Sequence, residues 1–496
     1  MKLTAADIKN RAWWEAAGIA LPRFDIALMR RRTEESPAWV HFGAGNIFRA
    51  FLCAALQRVL DAGAYDRGII ACEAYDGEII DRVYEPYDGL SLLAVLRPDG
   101  QVDKRVLASI ARAVKADDQG VRYMEEVFAK ASLQMVSLTV TEKAYTPQNP
   151  LMGLLCRLLR QRFFACAAPL AMVSMDNCSR NGEKFWQALL PVAEAMVRDG
   201  KAPEDFLLYL KESVAFPSTM IDKITPHPDA KIAETLRGMG VEDMDIVRTA
   251  KGTVTAAFVN AEQAEYLVVE DAFPAGRPAL EMAGILFTDR ETVDKVEKMK
   301  VGTCLNPLHT ALAVLGCLLG FTKISTEMKD EDVRRFVEKL GYEESLPVAE
   351  DPGVLSPKAF LDEVLTSRLP NHFLPDTPQR IAADTSQKLP IRFGWTLAAT
   401  KNRQTLCCVP FVFAAWLRYL TGVDDGGNAF TPSPDPRADE VRTRVAGGLT
   451  DDLLSDVTLF GADLVKAGLA DKVRAYFGEM MGGKGAVRRA LQRVVL

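Results

Sequence analysis

Histidine is scarce in this chain: His41, His227, His309 and His372 are the whole complement. No two of them stand in an HxH or HxxxH relation, so a zinc site would have to be assembled from distant stretches, and no metal is expected. Cysteine occurs nine times but never as a CxxC pair. The odd count, with several members inside apolar runs, argues against a disulfide framework and for reduced, mostly buried thiols. Long apolar runs are missing too. Nothing approaches the ~18 uninterrupted apolar residues of a bilayer span, and the opening MKLTAADIKNRAWWEAAGIALPRFD has no signal-type apolar core. These absences lead to the expectation of a soluble, cytoplasmic protein with no membrane partner. There is no excess of basic residues either: the formal charge is −6. That removes nucleic acid as a main partner and leaves room for one basic cleft that takes a small anion.

What the chain does have is length. Its 496 residues exceed what one hydrophobic core serves, and two domains are expected, residues 1–285 and 286–496. The first alternates short apolar runs with amphipathic ones. PAWVHFGAG (37–45), RGIIACEAYD (67–76), MVSLTVTEKAY (135–145) and PLAMVSMDN (169–177) read as strands. NIFRAFLCAALQRVLDAG (46–63), GVRYMEEVFAKAS (120–132) and GEKFWQALLPVAEAMVRDG (182–200) read as helices. That alternation predicts an α/β fold: a Rossmann-like, doubly wound parallel sheet covered on both faces, with ligands bound beyond the carboxyl ends of its strands. Past residue 285 helical periodicity takes over and no strand pattern stands out, so the second domain is expected to be mainly α-helical. Gly422 to Pro436 reads as a surface loop.

Gly43-Ala44-Gly45 ends the first predicted strand and Asn46 opens the helix after it. Two glycines at that place allow a tight turn and let a pyrophosphate approach the helix N-terminus. Position 48 is Phe instead of the third fingerprint glycine, so the pattern reads GxGxxxR over Gly43, Ala44, Gly45, Asn46, Ile47, Phe48 and Arg49. After the second strand come Glu73 and Asp76, carboxylates suited to ribose hydroxyls and hostile to a 2′-phosphate, which favours NAD over NADP.

Seven stretches resemble one family, the polyol-specific long-chain dehydrogenases. They are HFGAGNIFRAF (41–51), TVTEKAY (139–145), SMDNCSRNG (174–182), FPSTMIDKITP (216–226), VEDAFPAGRP (269–278), CLNPLHTALAVLG (304–316) and ADTSQKLPIRF (383–393). The resemblance implies metal-independent hydride transfer between NAD(H) and a small-molecule sugar acid or polyol. D-mannonate/D-fructuronate is the first expectation, ahead of altronate/tagaturonate and mannitol/fructose, in a monomer or small homo-oligomer. It implies Lys300 as the base, Asn306 and Asn177 as donors to the reacting oxygen, Asp222 as an acid beside the base, and His309 on the substrate. By the same resemblance Arg380 and Lys388 hold substrate hydroxyls or a carboxylate, and Thr141 and Glu142 join the cofactor residues. Taken alone, His309 would more often be a satisfied core histidine. Asn306-Pro307 would be a helix N-cap followed by proline at the first helical position. Lys143 reads as a surface residue and Arg277 as a structural partner for an interdomain carboxylate.

The family pattern has four residues between the lysine and the asparagine; here VGTCL makes five. In one regular helix the extra residue would swing Lys300 by about 100° from the Asn306–His309 face. Either a π-bulge absorbs it, or Lys300 lies ahead of an Asn306 cap; Gly302 and the Asn-Pro pair favour the cap. Ser218-Thr219 and Ala144 also depart from the family pattern, as in a divergent branch. Two other classes are weighed beside this one. A non-catalytic nucleotide-binding protein of the same fold would be favoured by the Lys300 spacing, and a short-chain dehydrogenase is disfavoured by the missing YxxxK.

Overall fold

A computed structural model describes residues 1–496. The chain forms two compact units, Met1–Asp294 and Lys295–Leu496, and the division falls within the helix Arg290–Met299, later than the expected 285/286.

The first unit is built on a six-stranded sheet: β1 (Trp39–Phe42), β2 (Ile69–Glu73), β3 (Ile110–Lys115), β4 (Met135–Leu138), β5 (Leu170–Ser174) and β6 (Val214–Ala215). Every pairing is parallel and the order is β3-β2-β1-β4-β5-β6. That is the doubly wound dinucleotide-binding order, whose direction reverses between β1 and β4. Alternate side chains go to opposite faces, as the strand period requires. Trp39, Ala71, Met135 and Ala171 join one buried cluster with the helical stretch from Phe48 to Leu60. Val40, Phe42, Ile70, Val136 and Met172 join a second, under the helices Asp118–Phe128, Pro150–Ala165 and Asn181–Arg198. The four strands read from sequence lie where they were expected. β3 (IARAVK) was not read: it is a short edge strand whose two large apolar residues, Ile110 and Val114, are separated by Arg112. Of three further sheets in the unit, two have more than two strands. One joins Ile19–Ala20, Val102–Leu107, Ser91–Leu96 and Phe258–Glu262, and the other joins Thr219–Asp222, Tyr266–Glu270 and Leu286–Thr288.

The second unit is helical. Its centre is Asn306–Leu319, whose apolar residues from Leu308 to Leu318 are buried and which ends at Gly320 in the left-handed conformation (φ +79°). Cys408–Tyr419 is its buried neighbour, and Thr385–Ala399 packs alongside. The continuous helical stretch Arg290–Leu319 is long and apolar enough to cross a membrane, but its most apolar window is 83% buried inside the protein.

Candidate active site

Each unit carries part of the predicted site. In the first, the turn after β1 sits at the carboxyl edge of the sheet, beside the strand-order reversal. Gly43 has φ +108°, and a Cβ there would lie 2.4 Å from the Thr139 carbonyl oxygen, so only glycine fits. A Cβ on Gly45 would meet nothing within 4 Å, which leaves its outer side open. The helix opening at Asn46 has first-turn N–H groups with no acceptor in its own ladder. This is the geometry that receives a pyrophosphate.

Several residues assigned to the cofactor from sequence are occupied with other work. Arg49 is fully buried: Nη1 donates to the Ala256 carbonyl (2.8 Å) and Ser91 (3.3 Å), and Nη2 to Asn46 Oδ1 (3.0 Å) and Thr255 (3.0 Å). It anchors the helix to neighbouring strands and offers no face to a ligand. Phe48, also fully buried, lies flat on His41 (4.1 Å, 2°) where the fingerprint's third glycine would sit. Burial pushes His41 down to about 3, so it is neutral between Ser137 and Thr139. Glu73 accepts from the backbone N–H of Ala44 (2.7 Å), Tyr75 (2.7 Å) and Asp76 (2.9 Å), tying the end of β2 to the glycine turn. Asp76 is buried and accepts from the hydroxyls of Thr249 (2.7 Å) and Thr253 (2.6 Å). The carboxylates thus build the turn, whereas a direct hold on ribose was expected of them.

Thr141 and Glu142 follow β4 and are exposed, Glu142 pairing with Lys184. Asn177 is exposed just past β5. Its neighbour Asp176 accepts from the Val140 N–H (3.0 Å) and the Tyr145 hydroxyl (2.6 Å), which fixes the ends of β4 and β5 together. Asp222 is buried at the end of its strand, next to Lys223, whose ammonium goes to Glu265 (2.8 Å). Lys143 is exposed as expected. Arg277 corrects its reading: it pairs with Asp271 and Glu281 inside the same unit and stacks on Phe287.

In the second unit Lys300, Asn306 and His309 lie on one helical stretch, and the spacing problem is answered by a π-helical turn over Lys300–Cys304. The Leu305 N–H bonds the Lys300 carbonyl (3.1 Å), five residues back instead of four. Pro307 supplies the local cause, because without an N–H it cannot continue the ladder. The freed Gly302 carbonyl accepts from Thr396 (3.4 Å). The cap reading is therefore corrected: the residue ahead of the helix is Leu305, no side chain caps it, and Asn306 already belongs to the helix. Lys300 is buried, at 3% exposure. Two other π-helical turns bear on candidate residues: Val364–Arg368 carries Arg368, and Phe48–Cys53 follows the glycine turn.

Around His309 the second unit gathers positive charge. Burial first, then Arg392, Arg380 and Arg368, push His309 down to about 4, against the opposing pull of Asp376. The ring is neutral at neutral pH, and its Nε2 has no hydrogen-bond partner, lying 3.6 Å from Asp376 Oδ2. Arg380, expected on the substrate, is paired with Asp376 and has a side chain 62% exposed. The Lys388 ammonium donates to the carbonyls of Ile381 (2.9 Å) and Ala383, and burial with Arg392 and Arg380 pushes it down to about 8. Sequence reading left out Arg368, at the end of a helical stretch whose pattern does not mark it for a site, and Asp376, which stands in a loop. Arg392 carried a signal, four residues after Lys388 and so on the same helix face.

The model of the mannitol dehydrogenase Rossmann domain matches residues 37–282, and that of the mannitol dehydrogenase C-terminal domain matches residues 292–481. A D-mannonate oxidoreductase from Thermotoga maritima is 46% identical over 100% of this chain and 99% of its own. Two solved structures share the fold. A substrate-free D-sorbitol dehydrogenase has TM-score 0.80 and 23% identity, covering 97% of this chain and 98% of its own. A Pseudomonas fluorescens mannitol 2-dehydrogenase, solved as a ternary complex with NAD and D-mannitol, has TM-score 0.72 and 24% identity, covering 100% and 99%.

Proposed function

The chain belongs to the mannitol dehydrogenase family, and from that premise we propose that it interconverts a sugar acid and its keto form with NAD(H), D-mannonate and D-fructuronate being the first pair to test. The full-length likeness to a D-mannonate oxidoreductase supports the substrate class. The observation that carries the acid over a neutral polyol is the cluster of Arg368, Arg380 and Arg392 near His309 and of Lys388 beside Arg380 and Arg392, four cations against the carboxylates of Asp376, Asp384 and Asp435.

The residues fit the cofactor. The Gly43 turn, the open side of Gly45 and the helix start at Asn46 suit a pyrophosphate, and the buried Glu73 and Asp76 put negative charge where a 2′-phosphate would be unwelcome. NADH supplies the hydride when bound. Lys300 gives a proton to the substrate oxygen during reduction and takes it back during oxidation. Asn306 donates a hydrogen bond to that oxygen as charge builds on it, a contribution of the oxyanion-hole kind. His309, neutral at working pH, presents Nε2 to a substrate hydroxyl as donor or acceptor. The π-helical turn removes the phase argument that favoured a non-catalytic protein.

NADH oxidation followed side by side with fructuronate, tagaturonate and fructose tests the reading. Fructuronate is expected to give the highest kcat/KM; a preference for fructose sinks the sugar-acid assignment.

A further inference from the structure

We propose that Arg392 is the anchor for the substrate carboxylate and sets the preference for sugar acids over neutral polyols; this rests on the sugar-acid reading above. Two cations looked better placed for that task from sequence, and both are committed elsewhere. Arg380 is neutralised by Asp376 and mostly in solvent. The Lys388 ammonium closes onto two backbone carbonyls. Arg392 differs from both. Its guanidinium is partly buried, and its single hydrogen bond runs from Nη1 to the neutral hydroxyl of Thr310 (2.5 Å). No carboxylate pairs with it. Burial pushes it down to about 10, the mark of a cation whose environment does not compensate it. Such a group is stabilised by any anion that arrives, and a planar fork with free N–H groups suits a carboxylate better than a hydroxyl.

Position supports the assignment. Thr310, which holds Nη1, donates to the Asn306 carbonyl (2.8 Å) one helical turn back, about 5.4 Å along the axis. The same helix therefore carries the asparagine for the reacting oxygen and, through Thr310, the fork for the far end of the molecule. That interval suits a carbonyl and a carboxylate separated by a few carbons. A neutral hydroxymethyl end would leave the guanidinium unpaired.

The experiment compares wild type, Arg392→Gln and Arg392→Lys, with kcat/KM for fructuronate and for fructose and with calorimetric binding of mannonate and NADH. Arg392→Gln is expected to lose about 100-fold more kcat/KM on the acid than on the ketose, with mannonate binding lost and NADH binding kept. Arg392→Lys keeps the charge without the fork and is expected to fall between the two; it also serves if the glutamine variant does not fold. Equal losses on acid and ketose, or mannonate affinity unchanged in either folded variant, overturn the proposal. Wild type turning over neither acid would sink the functional reading instead. Mannonate binding by wild type and not by the variants would then still locate the anion site.

Discussion

Arg162 and Arg392 are both drawn out of water, and the two units treat them oppositely. In the first unit Arg162 is fully buried and all five of its N–H groups reach backbone carbonyls: Ala168, Phe128, Lys130, Leu133 and Pro169, at 2.8–3.0 Å. Arg49 in the same unit makes four bonds through Nη1 and Nη2, with Nε alone left without a partner. In the second unit Arg392 has one bond, His309 Nε2 has none, and neither carboxyl oxygen of the buried Glu327 has a partner. Buried polar groups are ordinarily satisfied, and groups left otherwise mark function or stored strain. The unit that carries the dinucleotide turn offers backbone to its ligand, at Gly43 and at the helix start after Gly45. The unit that carries Lys300 holds side chains whose partners are still to come.

The largest effect that sharpens this contrast is expected from Lys300→Ala. If chemistry resides in the second unit and dinucleotide binding in the first, kcat falls by about 10³-fold while NADH affinity, read by calorimetry, stays within about twofold. Turnover near the wild-type rate removes Lys300 as the base. A parallel collapse of NADH binding breaks the division of labour between the units.

The sequence announced these two halves unequally. Gly43 is legible because a turn with φ +108° pressed against Thr139 admits one residue type. The alternating runs of β1, β2, β4 and β5 are legible because buried parallel strands are nearly all apolar. Glu73 was visible as a carboxylate after a strand, but its work was not: whether a carboxylate meets a ribose or the N–H of Ala44 depends on a loop conformation that no local pattern encodes. Arg49 misled for a related reason, since a charged residue beside a glycine turn says nothing about the Ala256 carbonyl it will find 207 residues away. The Asn-Pro pair at Asn306 is a sound cap signal by propensity, and it lost to continuity of the buried helix around it. Arg368 and Asp376 had no signal, because their meaning comes only from convergence on His309.

A middle-sized effect concerns stability. Glu327 is fully buried against Gly316, where an added Cβ would lie 2.3 Å from Oε1, and burial with Asp330 nearby pushes its carboxyl up to about 9. The unfolded chain releases this proton near the ordinary 4.5, whereas the folded chain keeps it. Stability contributed by this group is therefore full at acid pH and declines as pH rises between those values, by about 3 kcal/mol at pH 7. Glu327→Gln is expected to melt like wild type at pH 4.5 and to be more stable by about 3 kcal/mol at pH 7. Parallel stability curves for the two proteins across that range would show that the carboxyl finds compensation after all, and the contrast between the units would lose one of its three legs.

The smallest expected effect probes the π-helical turn itself. The Leu305 N–H closes onto the Lys300 carbonyl across five residues. Deleting Val301, which is only partly buried, lets the same two groups bond across four, as in an ordinary α-helix, with both flanks in their present phase. The extra residue is then a tolerated insertion, and kcat for the deletion variant is expected to stay within about threefold of wild type. Adding an alanine after Val301 has no such outlet. It would turn Lys300 by about 100° against Asn306 and His309, and activity should fall as far as in Lys300→Ala. A deletion variant as inactive as the insertion would mean that the widened turn aims the lysine. The π-helical turn would then belong to the chemistry of the second unit, along with Arg392 and His309.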